Sequence, residues 1–338
     1  MSGNAGCGKT VLASFLIDHL KKSQGGSKGG VVCYFFCDDK LELFHQAISI
    51  LRATLHMLFS ARRDLLKYAV EQFQSKGQGF SKELITMWNI LLDAASDENA
   101  GTVYCVVDAI NECERKSREI LLQVVTSYFG KTTIGGGHLK LLMTSRPEVS
   151  VIEELAGLAS RRLRTEDEIE NIDRDVRTAV RYGLAKYAET SDCSESFREQ
   201  LERILLANAD KTFLWVSLII QTLINEAGES EESLMKMVEV FPPKLDETYE
   251  AILNRVPPPQ RLKTKKILSA IVSSLRPLTV KELNMSLAVH PGDLSESRVQ
   301  PRLLTEPIRI FRRACGALIR IYEGKVSTVV NEVAGGTD

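Results

Sequence analysis

Eight residues near the start of the chain, Gly3-Asn4-Ala5-Gly6-Cys7-Gly8-Lys9-Thr10, have the spacing G-x-x-x-x-G-K-T. Glycines so placed let successive backbone N–H groups converge on phosphate oxygens. An apolar segment with helical spacing, 11–17, follows at once, so a helix N-terminus adds its positive dipole end at the same point. On this reading Gly3, Asn4, Ala5, Gly6, Cys7, Gly8, Lys9, Thr10 and Val11 cradle the phosphates of a nucleotide. Lys9 would reach the β- and γ-phosphates, and the Thr10 hydroxyl would hold Mg²⁺.

Two later strand ends carry the groups such a loop needs. Val106-Val107-Asp108-Ala109-Ile110-Asn111-Glu112 closes an apolar run on an acid. A carboxylate at the tip of a strand beside the loop's own strand can complete a Mg²⁺ site, which makes Thr10 and Asp108 the expected metal ligands. Glu112 could orient or activate a water, so Glu112 joins Lys9 as a candidate catalytic residue. Arg146 follows a further apolar run, in Thr144-Ser145-Arg146-Pro147. Its guanidinium is expected to reach the γ-phosphate, in both a binding and a catalytic role. The plainer readings are that Asp108 caps a loop and that Arg146 is a surface arginine.

These three segments together resemble the NACHT NTPases of the signalling STAND class, especially those of fungal heterokaryon-incompatibility and nephrocystin-3-like proteins. Phe213-Leu214-Trp215-Val216, the spacing Leu245, Tyr249, Ile252, Leu253, and Arg276-Pro277-Leu278-Thr279 with Glu282-Leu283 are similar to that family's helical and winged-helix segments. The resemblance implies an ATP- or GTP-driven signalling switch with weak NTPase activity. ADP would hold its units closed; exchange for ATP would open them and let them oligomerise with other NACHT protomers. It also implies effector and repeat domains outside this chain. Asn111 stands where the family usually has a second acid, so metal binding should survive better than hydrolysis. Lys211 replaces a favoured glycine, and 329–332 lacks the histidine expected near the last hairpin strand. A rival of a different class is a nucleotide-independent interaction scaffold whose phosphate loop is a relic. A metabolic P-loop kinase fits least, with no lid or acceptor site evident.

The elements that must position these groups are legible as patterns. Apolar runs at 31–37, 102–108 and 139–144 read as strands buried on both faces, with a short fourth at 162–164. Helical spacing fills the intervals at 44–58, 65–70, 84–92 and 120–129. Strands alternating with helices predict an α/β fold, a P-loop NTPase parallel sheet over 1–165. From 166 to 256 the pattern is helical only, and 257–334 reads as a small winged-helix-like domain of three helices and a hairpin at 319–330. Only Met1 and Ser2 precede Gly3, so the strand that ordinarily feeds such a loop has nothing to form from. The expectation is a sheet without its first strand, in a chain truncated at both ends. Some five buried apolar residues at ~1.5–3 kcal/mol each rival the ~5–15 kcal/mol net stability of a whole domain.

The bulk composition adds exclusions. Of 338 residues, 44% are hydrophobic and 26% charged, with a net charge of −1. No overall positive field favours nucleic acid or a membrane surface, and Arg161-Arg162 and Arg312-Arg313 read as solvated faces. The apolar segment 212–224 is too short to span a bilayer and reads as a buried helix. Seven cysteines in no regular spacing suggest reduced thiols and a cytoplasmic setting. The five histidines lack acidic or cysteine partners at metal-ligand spacing.

Overall fold

The computed structural model describes residues 1–23, 29–39, 44–131, 138–147, 149–155, 169–209, 212–226, 228–293 and 295–328. The chain divides into two compact units, Met1–Asp167 and Glu168–Gly336. The strand predicted at 162–164, Lys211 and the segment 329–332 lie outside the described residues.

The first unit runs α1 (Lys9–Ser23), β1 (Val31–Phe36), α2 (Ala47–Ala61), α3 (Lys67–Lys76), α4 (Leu84–Ser96), β2 (Val103–Asp108), α5 (Arg115–Lys131), β3 (Leu139–Met143) and α6 (Val149–Glu154). Its strands form a parallel sheet in the order β1-β2-β3, with Val31 beside Val103 and Val103 beside Leu139. All three carboxyl ends therefore emerge on one side, where open parallel sheets bind their ligands.

Three residues extend this sheet past β3. Ser2 makes a parallel bridge to Ser145. The Gly3 N–H donates to the Ser145 carbonyl at 3.2 Å, the Ser145 N–H to the Met1 carbonyl at 3.0 Å, and the Met1 amino group to the Met143 carbonyl at 2.7 Å. The expectation that nothing would feed the phosphate loop is corrected to this extent: residues 1–3 pair with Met143 and Ser145 at the carboxyl end of β3, as a bridge and not as a full strand. A second expectation also changes. The strand bearing Asp108 is not beside the one feeding the loop; β3 lies between them.

Side chains alternate across the pleat. Val31, Cys33, Phe35, Val103, Cys105 and Val107 join the large core with α2, α4 and α5. The opposite face, Val32, Tyr34 and Phe36, is packed by Ala13 and Ile17 of α1 and stays half-exposed. β1 is thus buried on one face, not both as its apolar run suggested.

The second unit continues α7 (Ile169–Thr190), α8 (Glu195–Asn208), α9 (Phe213–Asn225), α10 (Glu231–Glu239), α11 (Leu245–Asn254), α12 (Pro258–Val272), β4 (Leu278–Thr279), α13 (Val280–Ala288), α14 (Glu296–Val299), α15 (Pro307–Cys315), β5 (Ile319–Tyr322) and β6 (Lys325–Thr328). α9 is the buried helix its composition implied: Trp215, Ile219 and Leu223 are fully enclosed. The Trp215 indole N–H donates to the Pro242 carbonyl at 2.7 Å, which satisfies the one polar atom the ring takes inside. A separate core of Ile267, Ile271, Leu283, Phe311 and Val326 holds α12, α13 and α15 against an antiparallel sheet in the order β4-β6-β5. α15 stops at Cys315, where Gly316 takes φ 52 and a 3-10 turn follows. Among the described residues no helix is long and apolar enough to cross a membrane.

Candidate functional site

The phosphate loop leaves residues 1–3 and turns into α1. Gly6 and Gly8 have φ 76 and 85, a left-handed conformation that a β-carbon would strain. α1 has no acid in its first turn, so nothing there cancels the dipole's positive end. Gly3 and Thr10 are buried, Asn4 and Ala5 exposed, and Cys7 half-exposed. The Lys9 ammonium donates to the Gly3 carbonyl at 2.7 Å and the Asn4 carbonyl at 2.8 Å, with the Cys7 sulfur at 3.7 Å. The Val11 side chain is 71% exposed and points away from the core, leaving only its backbone to the loop.

Asp108, at the tip of β2, is 1% exposed. Its Oδ2 accepts the Thr10 hydroxyl and its Oδ1 the Thr144 hydroxyl, each at 2.5 Å. The Thr144 oxygen in turn accepts the Ala109 N–H at 2.9 Å. Burial pushes the Asp108 carboxyl above its ordinary range, while the two hydroxyls, the charge of Lys9 and the Ala109 N–H pull the other way. Ala109 itself is left-handed, φ 54 and ψ 45, a conformation costing a non-glycine residue about 1–2 kcal/mol. Thr144 holds it there, since the Ile110 N–H also donates to the Thr144 carbonyl at 3.0 Å. Sequence reasoning read Thr144 only as the end of a strand. Its hydroxyl gave no periodic signal of this role.

Glu112 and Arg146 lie beside this pair. An Arg146 guanidinium nitrogen is 4.0 Å from Glu112 Oε1. The Arg146 backbone N–H donates to Asn111 Oδ1 at 2.9 Å. Asp38 and Asp39, just past β1, bring one carboxylate oxygen each within 4.8 Å of Glu112. Burial first, then the charge of Asp39, raises Glu112 to about 7; Asp38 and Asp108 add to this and Arg146 opposes it. The sequence had flagged neither Asp38 nor Asp39 for this site, although both close the apolar run of β1.

The structure thus brings Thr10 to Asp108 and Glu112 to Arg146. It seats the residue before Arg146 on the backbone of Gly3. Two oxygen sets could hold a divalent ion: Thr10 with Asp108, and Asp38, Asp39 with Glu112. The donor set fits a nucleotide phosphate as well, with a glycine turn, a lysine, a helix N-terminus and an arginine.

Residues 1–146 match the family model described as nephrocystin 3, N-terminal. Over 331 residues the chain is 26% identical to the vegetative incompatibility protein HET-E-1 of Podospora anserina, an alignment covering 96% of this chain and 23% of that protein. The chain therefore spans under a quarter of that relative's length. Among solved structures, the Aeropyrum pernix ORC1 protein in complex with DNA aligns over 98% of this chain and 85% of its own, at 15% identity and a TM-score of 0.30, too low to speak for a shared fold. The family match spans the phosphate loop, Asp108 and Arg146, and the likeness to HET-E-1 runs on through both units; together they support a HET-E-like, nephrocystin-3-like NACHT protein.

Proposed function

We propose that the chain is a nucleotide-binding switch module, taking ATP or GTP with Mg²⁺ and hydrolysing it slowly. The observation that carries this is the buried chain Thr10–Asp108–Thr144, which ties the phosphate loop to the sheet through the one carboxylate a metal would need. In this reading the loop N–H groups and Lys9 neutralise phosphate charge, and Thr10 and Asp108 hold Mg²⁺. The ion, when bound, supplies positive charge to the phosphate oxygens. Glu112 accepts a proton from water, a task suited to a group titrating near neutrality. Arg146 leaves Glu112 for the γ-phosphate. Asn111 provides no second acid, which keeps turnover below binding.

The same proposal assigns 1–165 to nucleotide binding, 166–256 to a helical domain and 257–334 to a winged-helix-like domain. It extends to a cytoplasmic setting, to oligomerisation with other NACHT protomers, and to effector and repeat domains elsewhere in a longer protein. The second reading, a nucleotide-independent scaffold, draws on a different observation. Lys9 and Thr10 already bond within the protein, so the loop is closed on itself. Thermal unfolding with and without Mg·ATP decides between them. The switch reading expects a rise in midpoint for the wild-type chain and none for Lys9→Ala; equal responses would leave the scaffold.

A further inference from the structure

We infer that Asn111 is the positioning residue through which Arg146 distinguishes a nucleoside triphosphate from a diphosphate; this rests on the nucleotide reading above. Three successive residues of the turn after β2 are fastened to the end of β3. The Ala109 N–H donates to Thr144 Oγ1 at 2.9 Å. The Ile110 N–H donates to the Thr144 carbonyl at 3.0 Å. At the third position the direction reverses, and Asn111 Oδ1 accepts the Arg146 N–H at 2.9 Å. Thr144 and Ile110 are buried, at 1% and 0% exposure, so the first two bonds serve the turn itself. The third lies at the solvent rim and serves Arg146.

Asn111 is braced from behind. Its carbonyl accepts Arg118 Nη1 at 3.0 Å, and Arg118 is a 4%-exposed residue of α5. Arg146 is far less constrained at its other end. Its side chain is 52% exposed, and Glu112 at 4.0 Å is the nearest carboxylate among the described residues. What fixes the origin of this long side chain is its backbone: the Ser145 hydroxyl donates to the Arg146 carbonyl at 2.7 Å, and Asn111 supplies the side-chain tie to its N–H, the one that reaches across from the turn after β2. A guanidinium swinging from a fixed origin samples fewer directions and meets a phosphate more often. A diphosphate gives Arg146 no γ-phosphate to meet, so its binding is indifferent to this tie. An amide oxygen here does what a backbone carbonyl would do in a sheet.

The test is calorimetric titration of the full chain with Mg·ADP and with a non-hydrolysable ATP analogue. Removing one hydrogen bond that acts through Arg146 should make Asn111→Ala bind the triphosphate about five- to tenfold more weakly, with ADP within about twofold of wild type. Asn111→Asp keeps an acceptor in place and should hold the wild-type ratio within about threefold. In an Arg146→Ala background, Asn111→Ala should add nothing. An unchanged ratio in Asn111→Ala, equal weakening of both nucleotides, failure of Asn111→Asp to restore the ratio, or an additive loss without Arg146 would each overturn the inference while leaving the nucleotide reading intact. A wild-type chain that binds neither nucleotide overturns both.

Discussion

Glu112 concentrates the chemistry of this site in one side chain. Burial and the neighbouring carboxylates of Asp39, Asp38 and Asp108 disfavour its charged form, and the guanidinium of Arg146 does not compensate, so it titrates near 7 rather than 4.5. The sign of the stability effect follows. Between those two values the folded chain holds a proton that the unfolded chain has released, so stability falls as pH rises through the window. Glu112→Gln has no proton to lose there. Its thermal midpoint should therefore gain on that of wild type from about pH 4.5 to about pH 7 and run parallel above it. Parallel curves throughout the window would mean that Glu112 is ionised without cost. Hydrolysis, if Glu112 is its base, should rise across the same pH range in the wild type. A flat rate profile there would remove Glu112 from that role.

Single elements show how one short segment can do two jobs. Thr279 ends β4, pairing with Lys325 of β6, and is also the N-cap of α13. Its hydroxyl accepts the Glu282 N–H at 3.1 Å while Glu282 accepts the Thr279 N–H at 2.8 Å, a reciprocal capping box. Arg276 grips both Glu282 oxygens, at 3.0 and 2.6 Å, and with the Thr279 donors holds that carboxyl down to about 2. Thr279→Ala should cost about 1 kcal/mol, within the ~0.5–2 kcal/mol seen for lost caps, read as a lower urea midpoint. No change would mean that the strand pairing alone sets the helix start. The cap was legible from Thr279 and Glu282 three apart; the strand was not, because two residues leave no alternation. The same limit explains the rest. Apolar runs of five or six residues announced β1, β2 and β3, and the spacing of Gly3, Gly6, Gly8 and Lys9 announced the loop. The sheet order, the pairing of Ser2 with Ser145, and the Thr144 hydroxyl on Asp108 join segments far apart in the chain, where no period exists to read. Tyr34 and Phe36 misled for a related reason: an apolar side chain on a half-covered face looks, in sequence, like one on a buried face.

At the scale of the molecule, each of the two units carries its own reporter. The chain has two tryptophans. Trp88 packs in the core beneath the parallel sheet, edge-on to Tyr128 with ring centroids 6.1 Å apart; Trp215 sits at the centre of the helical core of the second unit. Trp88→Phe and Trp215→Phe variants thus separate the unfolding of the units by fluorescence. Every group assigned to the nucleotide lies in Met1–Asp167. A ligand that binds one unit stabilises that unit alone unless the other unfolds with it. At about a hundred times its Kd, Mg·ATP should add about 2.7 kcal/mol to the transition seen by Trp88, a rise of roughly 5–10 °C for a unit of this size. The transition seen by Trp215 should stay where it was. Equal shifts in both signals would show that the two units melt as one cooperative body, and then nucleotide occupancy is felt throughout the chain without any switch between open and closed forms. A shift at Trp215 alone would put the nucleotide in the wrong unit and, with it, remove the phosphate loop from the account.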